Sequence, residues 1–185
     1  MSYLFLENGR ISGLPCSTNK LLGQYGIMKK DNFQGISYYK AEDWVQELLL
    51  NSFVPKQLHS QFTAAFMVIN TKYAPPHTDS GILMTINYYV ETADAVTKFW
   101  KENDSTKYIK LSAESDGFIY DETTLDYTGS FKANPFDVWA LKVKDIHSVE
   151  SEGHIRTAYC VQSSTVTFED FVKTRPILSH SDQSE

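Results

Sequence analysis

From Phe62 onward the chain breaks into short apolar runs separated by polar turns, and no helix-length segment interrupts them. The runs fall at 62–70, 82–91, 96–101, 107–111, 117–120, 136–143 and 154–162, and they are rich in β-branched and aromatic residues. Such a succession closes into a sandwich or barrel rather than an α/β sheet. Upstream, 41–53 reads as a helix: Trp44, Val45, Leu48 and Leu49 fall at helical spacing, acidic residues occupy the first turn, and Pro55 lies just past the end. Gly9, Gly13, Gly23, Gly26 and Gly35 punctuate the rest of this region into turns and brief strands.

The expected fold is therefore mainly β, a double-stranded β-helix of the jelly-roll or cupin-like type with a supporting N-terminal helix packed outside. A chain of 185 residues fits one domain. Within it, 1–61 reads as the supporting region and 62–163 as the jelly-roll core. The polar stretch 102–133 is a variable insert, and 179–185 a flexible tail.

Composition excludes some functions. The net charge is −6 and the longest basic run is Lys29-Lys30, read as a solvated turn, so a nucleic-acid groove is not expected. Two cysteines, Cys16 and Cys160, do not make a disulfide framework and suit a reducing compartment. No stretch reaches the roughly 20 apolar residues of a membrane helix, and the first residues lack the pattern of a signal peptide. The expectation is a cytoplasmic protein without membrane partners.

The chemistry lies in three places. His77 and Asp79 are two residues apart, which on a strand puts both side chains on one face about 6.5–7 Å apart. Pro75-Pro76 holds the chain extended ahead of them. Further on, 137–149 reads as one strand, 150–153 as a turn, and 154 onward as the returning strand. That hairpin sets His147 opposite Arg156, with His154 a lesser rival opposite Val149. Two imidazoles and a carboxylate on one face leave open positions on a metal, the arrangement by which non-haem Fe(II) oxygenases hold iron. An adjacent arginine can grip a carboxylate through two parallel hydrogen bonds. Thr85, Asn87 and Tyr89 share one face of the strand after the pair, while Met84, Ile86, Tyr88 and Val90 share the other. With both faces bulky, the polar one is expected to be buried and to need partners, which a small dicarboxylate would supply. Trp139 shares the parity of His147 and is a candidate wall of the site, with Phe99 and Trp100 in the core or at the mouth. Lys142 and Lys144 have the opposite parity and read as solvated stems; His59 and His180 read as surface groups.

Tyr73-Ala74-Pro75-Pro76-His77-Thr78-Asp79, Thr85-Ile86-Asn87-Tyr88-Tyr89-Val90, Asp137-Val138-Trp139-Ala140-Leu141, Ile146-His147-Ser148-Val149 and Arg156-Thr157-Ala158 together resemble the Fe(II)/2-oxoglutarate-dependent dioxygenase superfamily, in its prolyl-hydroxylase-like branch. The resemblance spans roughly 62–163. It implies Fe(II) held by His77, Asp79 and His147, and 2-oxoglutarate as cosubstrate with its far carboxylate on Arg156, assisted by Tyr89 and Thr85. It implies dioxygen as second reactant and hydroxylation of an amino acid, a peptide residue or a small metabolite. Two features depart from that branch: no paired glycines occur in 92–100, and Ala158 stands where many relatives have Ser. Asp79 argues against the related halogenases, which lack the carboxylate. The competing readings are a non-catalytic jelly-roll binding or structural module and another metal-dependent cupin enzyme. Neither of these requires Arg156 beside His147.

Overall fold

The computed structural model describes residues 1–14, 35–152 and 155–174, together with the backbone of 27–30. Cys16, Gly23, Gly26, His154, His180 and the tail 179–185 lie outside the described residues. The elements in chain order are β1 (Tyr3–Asn8), β2 (Ile27–Lys30), β3 (Ile36–Lys40), α1 (Asp43–Phe53), β4 (Thr63–Ile69), β5 (Tyr73–His77), β6 (Met84–Glu91), β7 (Val96–Glu102), β8 (Tyr108–Lys110), β9 (Phe118–Tyr120), β10 (Leu125–Lys132), β11 (Asp137–Leu141), β12 (Ile146–Glu150), β13 (Arg156–Ser163) and α2 (Phe168–Thr174). A seven-stranded sheet runs β1-β11-β6-β13-β4-β3-β2, and a six-stranded sheet runs β10-β7-β12-β5-β9-β8. This is the mainly β jelly-roll architecture that the strand succession implies. No helix among the described residues is long and apolar enough to cross a membrane.

The alternation along β6 shows how the layers are arranged. Met84, Ile86, Tyr88 and Val90 join Val138, Ala140, Tyr159, Val161 and Phe66 on the outer face of the seven-stranded sheet. There Val45, Leu49, Leu50 and Phe53 of α1 and Phe168 and Phe171 of α2 cover them. Each large side chain so buried contributes about 1.5–3 kcal/mol. The odd face of β6 turns inward instead. Tyr89 joins Met67, Ile69, Ala158 and Cys160 from its own sheet and Phe99 and Phe131 from the opposite one. Both faces of β6 are covered, so Thr85 and Asn87 are buried.

Local signals account for two of the helix boundaries. α1 ends at Phe53 because Val54 precedes a proline and is pushed to extended geometry (φ −115°, ψ 132°). Trp44, placed on the apolar face by spacing, remains half exposed. α2 was not expected from sequence, although Thr167-Phe168-Glu169-Asp170 carries a start signal. The Thr167 hydroxyl accepts from the Asp170 N–H (3.1 Å) and donates to the Asp170 carboxylate (2.8 Å).

Other expectations are corrected. Lys29-Lys30 belongs to β2 rather than to a turn. The insert 102–133 contains β10, which adds to β7 as an edge strand; its exposed, polar residues gave no alternating pattern to read. The stretch 137–149 is two strands, broken by a turn in which the Asp145 N–H donates to the Lys142 carbonyl (3.0 Å).

Candidate functional site

The two imidazoles meet through strand pairing. β12 lies between β5 and β7, with His147 directly opposite His77 on one side and Phe99 on the other. Opposed residues of an antiparallel pair project to the same face, and Phe99 belongs to the interior cluster, so both histidines point between the sheets. Their ring centroids are 4.3 Å apart. The register slips between the two pairs: Val149 opposes Ala74, so two steps along β12 match three along β5. The extra residue falls at Pro75-Pro76, where the missing N–H groups make a regular ladder impossible and a bulge natural.

This geometry replaces the expected hairpin. His147 and Arg156 are not cross-strand neighbours, because β12 belongs to the six-stranded sheet and β13 to the seven-stranded one. They approach across the interior instead.

Each imidazole has its tautomer set by a carbonyl two residues before it. His77 Nδ1 donates to the Pro75 carbonyl (2.7 Å) and His147 Nδ1 to the Asp145 carbonyl (3.0 Å). In the neutral ring this puts the lone pair on Nε2. Burial, followed by the neighbouring His77, brings the pKa of His147 down to about 4, so its ring is neutral at physiological pH.

Asp79 lies past the end of β5, so the expected strand alternation does not orient it. Its carboxylate sits 3.5 Å from His77 Nε2 and 3.9 Å from His147 Nε2. Burial alone would raise its pKa, but a hydrogen bond from His77 when that ring is protonated on Nε2, the charges of the His147 and His77 imidazolium forms, and the Lys144 ammonium hold it below the ordinary aspartate value. The three donor atoms lie within 4.8 Å of one another, a grouping that could hold a metal ion. A proton and a metal ion would compete for the same Nε2 lone pair beside this carboxylate.

Facing this group from the seven-stranded sheet is Arg156, only 4% exposed. Its Nη2 donates to the Tyr89 hydroxyl (2.9 Å), and the guanidinium carbon lies 4.7 Å from the Tyr89 ring centroid. Nη1 is buried without a hydrogen-bond partner among the described residues. Among the described residues no carboxylate lies within 4 Å of the guanidinium. The Tyr89 hydroxyl also accepts from Asn87 Nδ2 (3.4 Å), and Asn87 Oδ1 accepts from the Thr85 hydroxyl (3.0 Å). The inward face of β6 is thus a hydrogen-bonded ladder ending at the cation.

Phe99, Phe131, Tyr3 and Trp139 form an aromatic wall beside it, with Phe131 and Trp139 stacked at 4.1 Å. Trp100 is on the opposite face, where its indole N–H donates to the Ser148 hydroxyl (2.9 Å). His59, read as a surface group, bonds the Val54 carbonyl from a 3-10 turn (2.9 Å).

Sequence reasoning missed Lys144 as a site neighbour. Its ammonium donates to the Asp79 carbonyl (2.7 Å) and to Asp116 (2.6 Å). Its parity had been counted along one continuous strand, and the turn at 142–145 resets that count.

No protein-family model matches the chain, and no curated protein matches it in sequence. Solved structures do. The X-ray structure of E. coli ycfD superposes with a TM-score of 0.55 at 10% identity, covering 93% of this chain and 52% of that one. The epimerase SnoN in complex with Fe3+, alpha ketoglutarate and nogalamycin RO gives 0.47 at 10% identity, covering 90% and 80%. Vicilin from Corylus avellana (hazelnut) gives 0.43 at 14% identity, covering 77% and 32%. The chain thus spans about a third of the vicilin and about half of ycfD. At this identity the likeness to ycfD is one of fold.

Proposed function

We propose that this protein is a non-haem Fe(II) oxygenase that couples oxidative decarboxylation of 2-oxoglutarate to hydroxylation of an amino acid, a peptide residue or a small metabolite. The observation that carries the reading is the buried, incompletely bonded Arg156 guanidinium in the same interior as the His77, Asp79 and His147 donors. A cation removed from water is costly unless an anion or a full set of acceptors compensates it. Arg156 has one side-chain acceptor among the described residues, and a carboxylate is the ligand group that would complete its pairing.

The donor set suits the metal. Two Nε2 lone pairs and a carboxylate match the two-histidine, one-carboxylate arrangement that leaves positions open for other ligands. The Pro75 and Asp145 carbonyls fix both rings in the orientation such binding needs. When bound, iron supplies the activation of dioxygen and the oxidation that the side chains themselves cannot perform.

The chain's own residues have the remaining tasks. His77, Asp79 and His147 would hold the metal. Arg156 and the Tyr89 hydroxyl grip the far carboxylate of 2-oxoglutarate, and Asn87 and Thr85 hold that hydroxyl in place. Phe99, Phe131 and Trp139 keep bulk water from the interior, which strengthens each polar contact there.

The test is an anaerobic titration of the purified protein with Fe(II) and 2-oxoglutarate, watching for the visible charge-transfer band of the chelate. A saturable band that disappears in His147→Ala supports the reading. A folded, iron-loaded protein that gives no band would overturn it in favour of a non-catalytic jelly-roll binding module.

A further inference from the structure

β5 ends at His77, so no ladder hydrogen bond determines where Asp79 points. Its direction depends on what grips the loop that carries it, and two segments remote in sequence do so. From the β11–β12 turn, the Val143 carbonyl accepts from the Asp79 N–H (3.0 Å), and Lys144 Nζ donates to the Asp79 carbonyl (2.7 Å). Both backbone polar groups of Asp79 are thereby fixed, and with them the peptide planes that set its Cα–Cβ direction.

The second segment precedes β9. One oxygen of Asp116 accepts from Lys144 Nζ (2.6 Å), while the other accepts from the Gly81 N–H (2.7 Å). The next residue, Gly117, lies so flat against the loop that a Cβ there would sit 2.7 Å from the Thr78 carbonyl and 3.1 Å from the Ser80 nitrogen. The Thr78 N–H donates to the Phe118 carbonyl (3.0 Å), and the Thr78 hydroxyl accepts from the Phe118 N–H (3.1 Å).

We propose that Lys144 and Asp116 act together as positioning residues for Asp79, a latch that holds the carboxylate at the metal; this rests on the metal-site reading above. The ion pair is unsuited to a purely structural role. With side-chain exposures of 26% and 61% it is screened by solvent and contributes little to folding. Its two ends nevertheless join the turn that holds the Asp79 peptide to the amide of Gly81 two residues on. Releasing it would leave the fold intact and free the ligand to swing.

The experiment compares Lys144→Met, Asp116→Asn and Lys144→Arg with the parent protein, using Co(II) as the probe metal. Affinity is measured by titration of the metal-free protein, geometry by the visible Co(II) absorption, and folding by thermal melting without metal. Lys144→Met and Asp116→Asn are each expected to weaken Co(II) binding about 10–100-fold and to alter its spectrum. Their metal-free melting temperatures should move by less than about 2 °C. Lys144→Arg should retain most of the affinity, and the double variant should be no weaker than the weaker single.

Unchanged Co(II) affinity in both variants, alongside loss of binding in His77→Ala, overturns the latch and leaves the metal site standing. A parent protein that binds no Co(II) overturns both. Affinity that falls only in step with a lost melting transition overturns positioning in favour of a structural role. If Lys144→Met does not fold, Asp116→Asn, altered at the exposed end of the pair, decides the matter.

Discussion

Replacing Arg156 with Met is expected to leave the ligand-free protein as stable as before, or more so, while removing its response to 2-oxoglutarate. Arg156 is only 4% exposed, and the desolvation of such an ion costs several kcal/mol. Its orphaned Nη1 adds about 1–3 kcal/mol of cost. Against this stand one charged hydrogen bond to the Tyr89 hydroxyl, about 1.5–3 kcal/mol, and the position over the Tyr89 ring, up to about 2 kcal/mol. The opposing contributions are of similar size. A stem of similar length without the charge should therefore stabilise the ligand-free fold by 0 to about 2 kcal/mol, a rise of at most about 8 °C for a chain of this size. The Tyr89 hydroxyl keeps Asn87 as a donor, so no new orphan is made. In the parent protein, 2-oxoglutarate at 100 times its Kd adds about 2.7 kcal/mol. Truncating a desolvated charge pair costs about 2–5 kcal/mol of binding. Even the lower figure, roughly a 30-fold loss, leaves under about 1 kcal/mol of stabilisation at the same concentration. Urea unfolding under anaerobic Fe(II), with and without 2-oxoglutarate, measures both quantities. A variant that loses more than about 2 kcal/mol without ligand and keeps the full ligand response would refute the reasoning. Arg156 would then be a structural group, and the anion would bind elsewhere.

Two further outcomes follow from the same geometry. Gly117→Ala places a Cβ 2.7 Å from both the Thr78 carbonyl and a Leu111 methyl. The backbone cannot yield cheaply there, so urea unfolding should show a loss of about 1–3 kcal/mol, and Co(II) titration a weaker site because the Asp79 loop is displaced. Cys160 is 1% exposed and burial pushes its thiol up to about 12, so it stays protonated throughout the neutral and mildly alkaline range. Iodoacetamide at pH 8 followed by peptide mass spectrometry should find Cys160 unmodified in native protein and alkylated after denaturation; rapid native labelling would show that the interior opens.

The donor types were legible in the sequence because they are local facts. His77, Asp79 and His147 are recognisable as ligand-forming side chains wherever the strands run, and alternation along β6 correctly separated Thr85, Asn87 and Tyr89 from Met84, Ile86 and Tyr88. What alternation cannot carry is the identity of a strand's partner. β12 and β13 are consecutive, and a hairpin is the natural reading of two strands joined by a short turn. Yet each finds its hydrogen bonds in a different sheet. A turn of four residues at 142–145 inverted the parity assigned to Lys144, and one extra residue at Pro75-Pro76 re-aimed His77. Asp116 carries no local mark at all; only the pairing of β5 with β9 brings its segment to the Asp79 loop.

The same alternation explains why so polar an interior is tolerated. The outward residues of β6, together with Phe66 and Tyr159, are buried beneath α1 and α2 and, with Phe171 of α2, make the large apolar core of the described residues. The inward residues face a mixed environment in which Arg156 lacks a full set of partners and His147 is held neutral. Stability and the candidate site thus occupy opposite faces of one strand, separated by a period of two. Because the helix-covered face secures the fold, the inner face can keep a group such as Arg156 whose hydrogen bonding is incomplete among the described residues. A one-residue slip of β6 would exchange the two faces and destroy both core and site, so the burial that fixes its register also fixes the position of Tyr89 under Arg156.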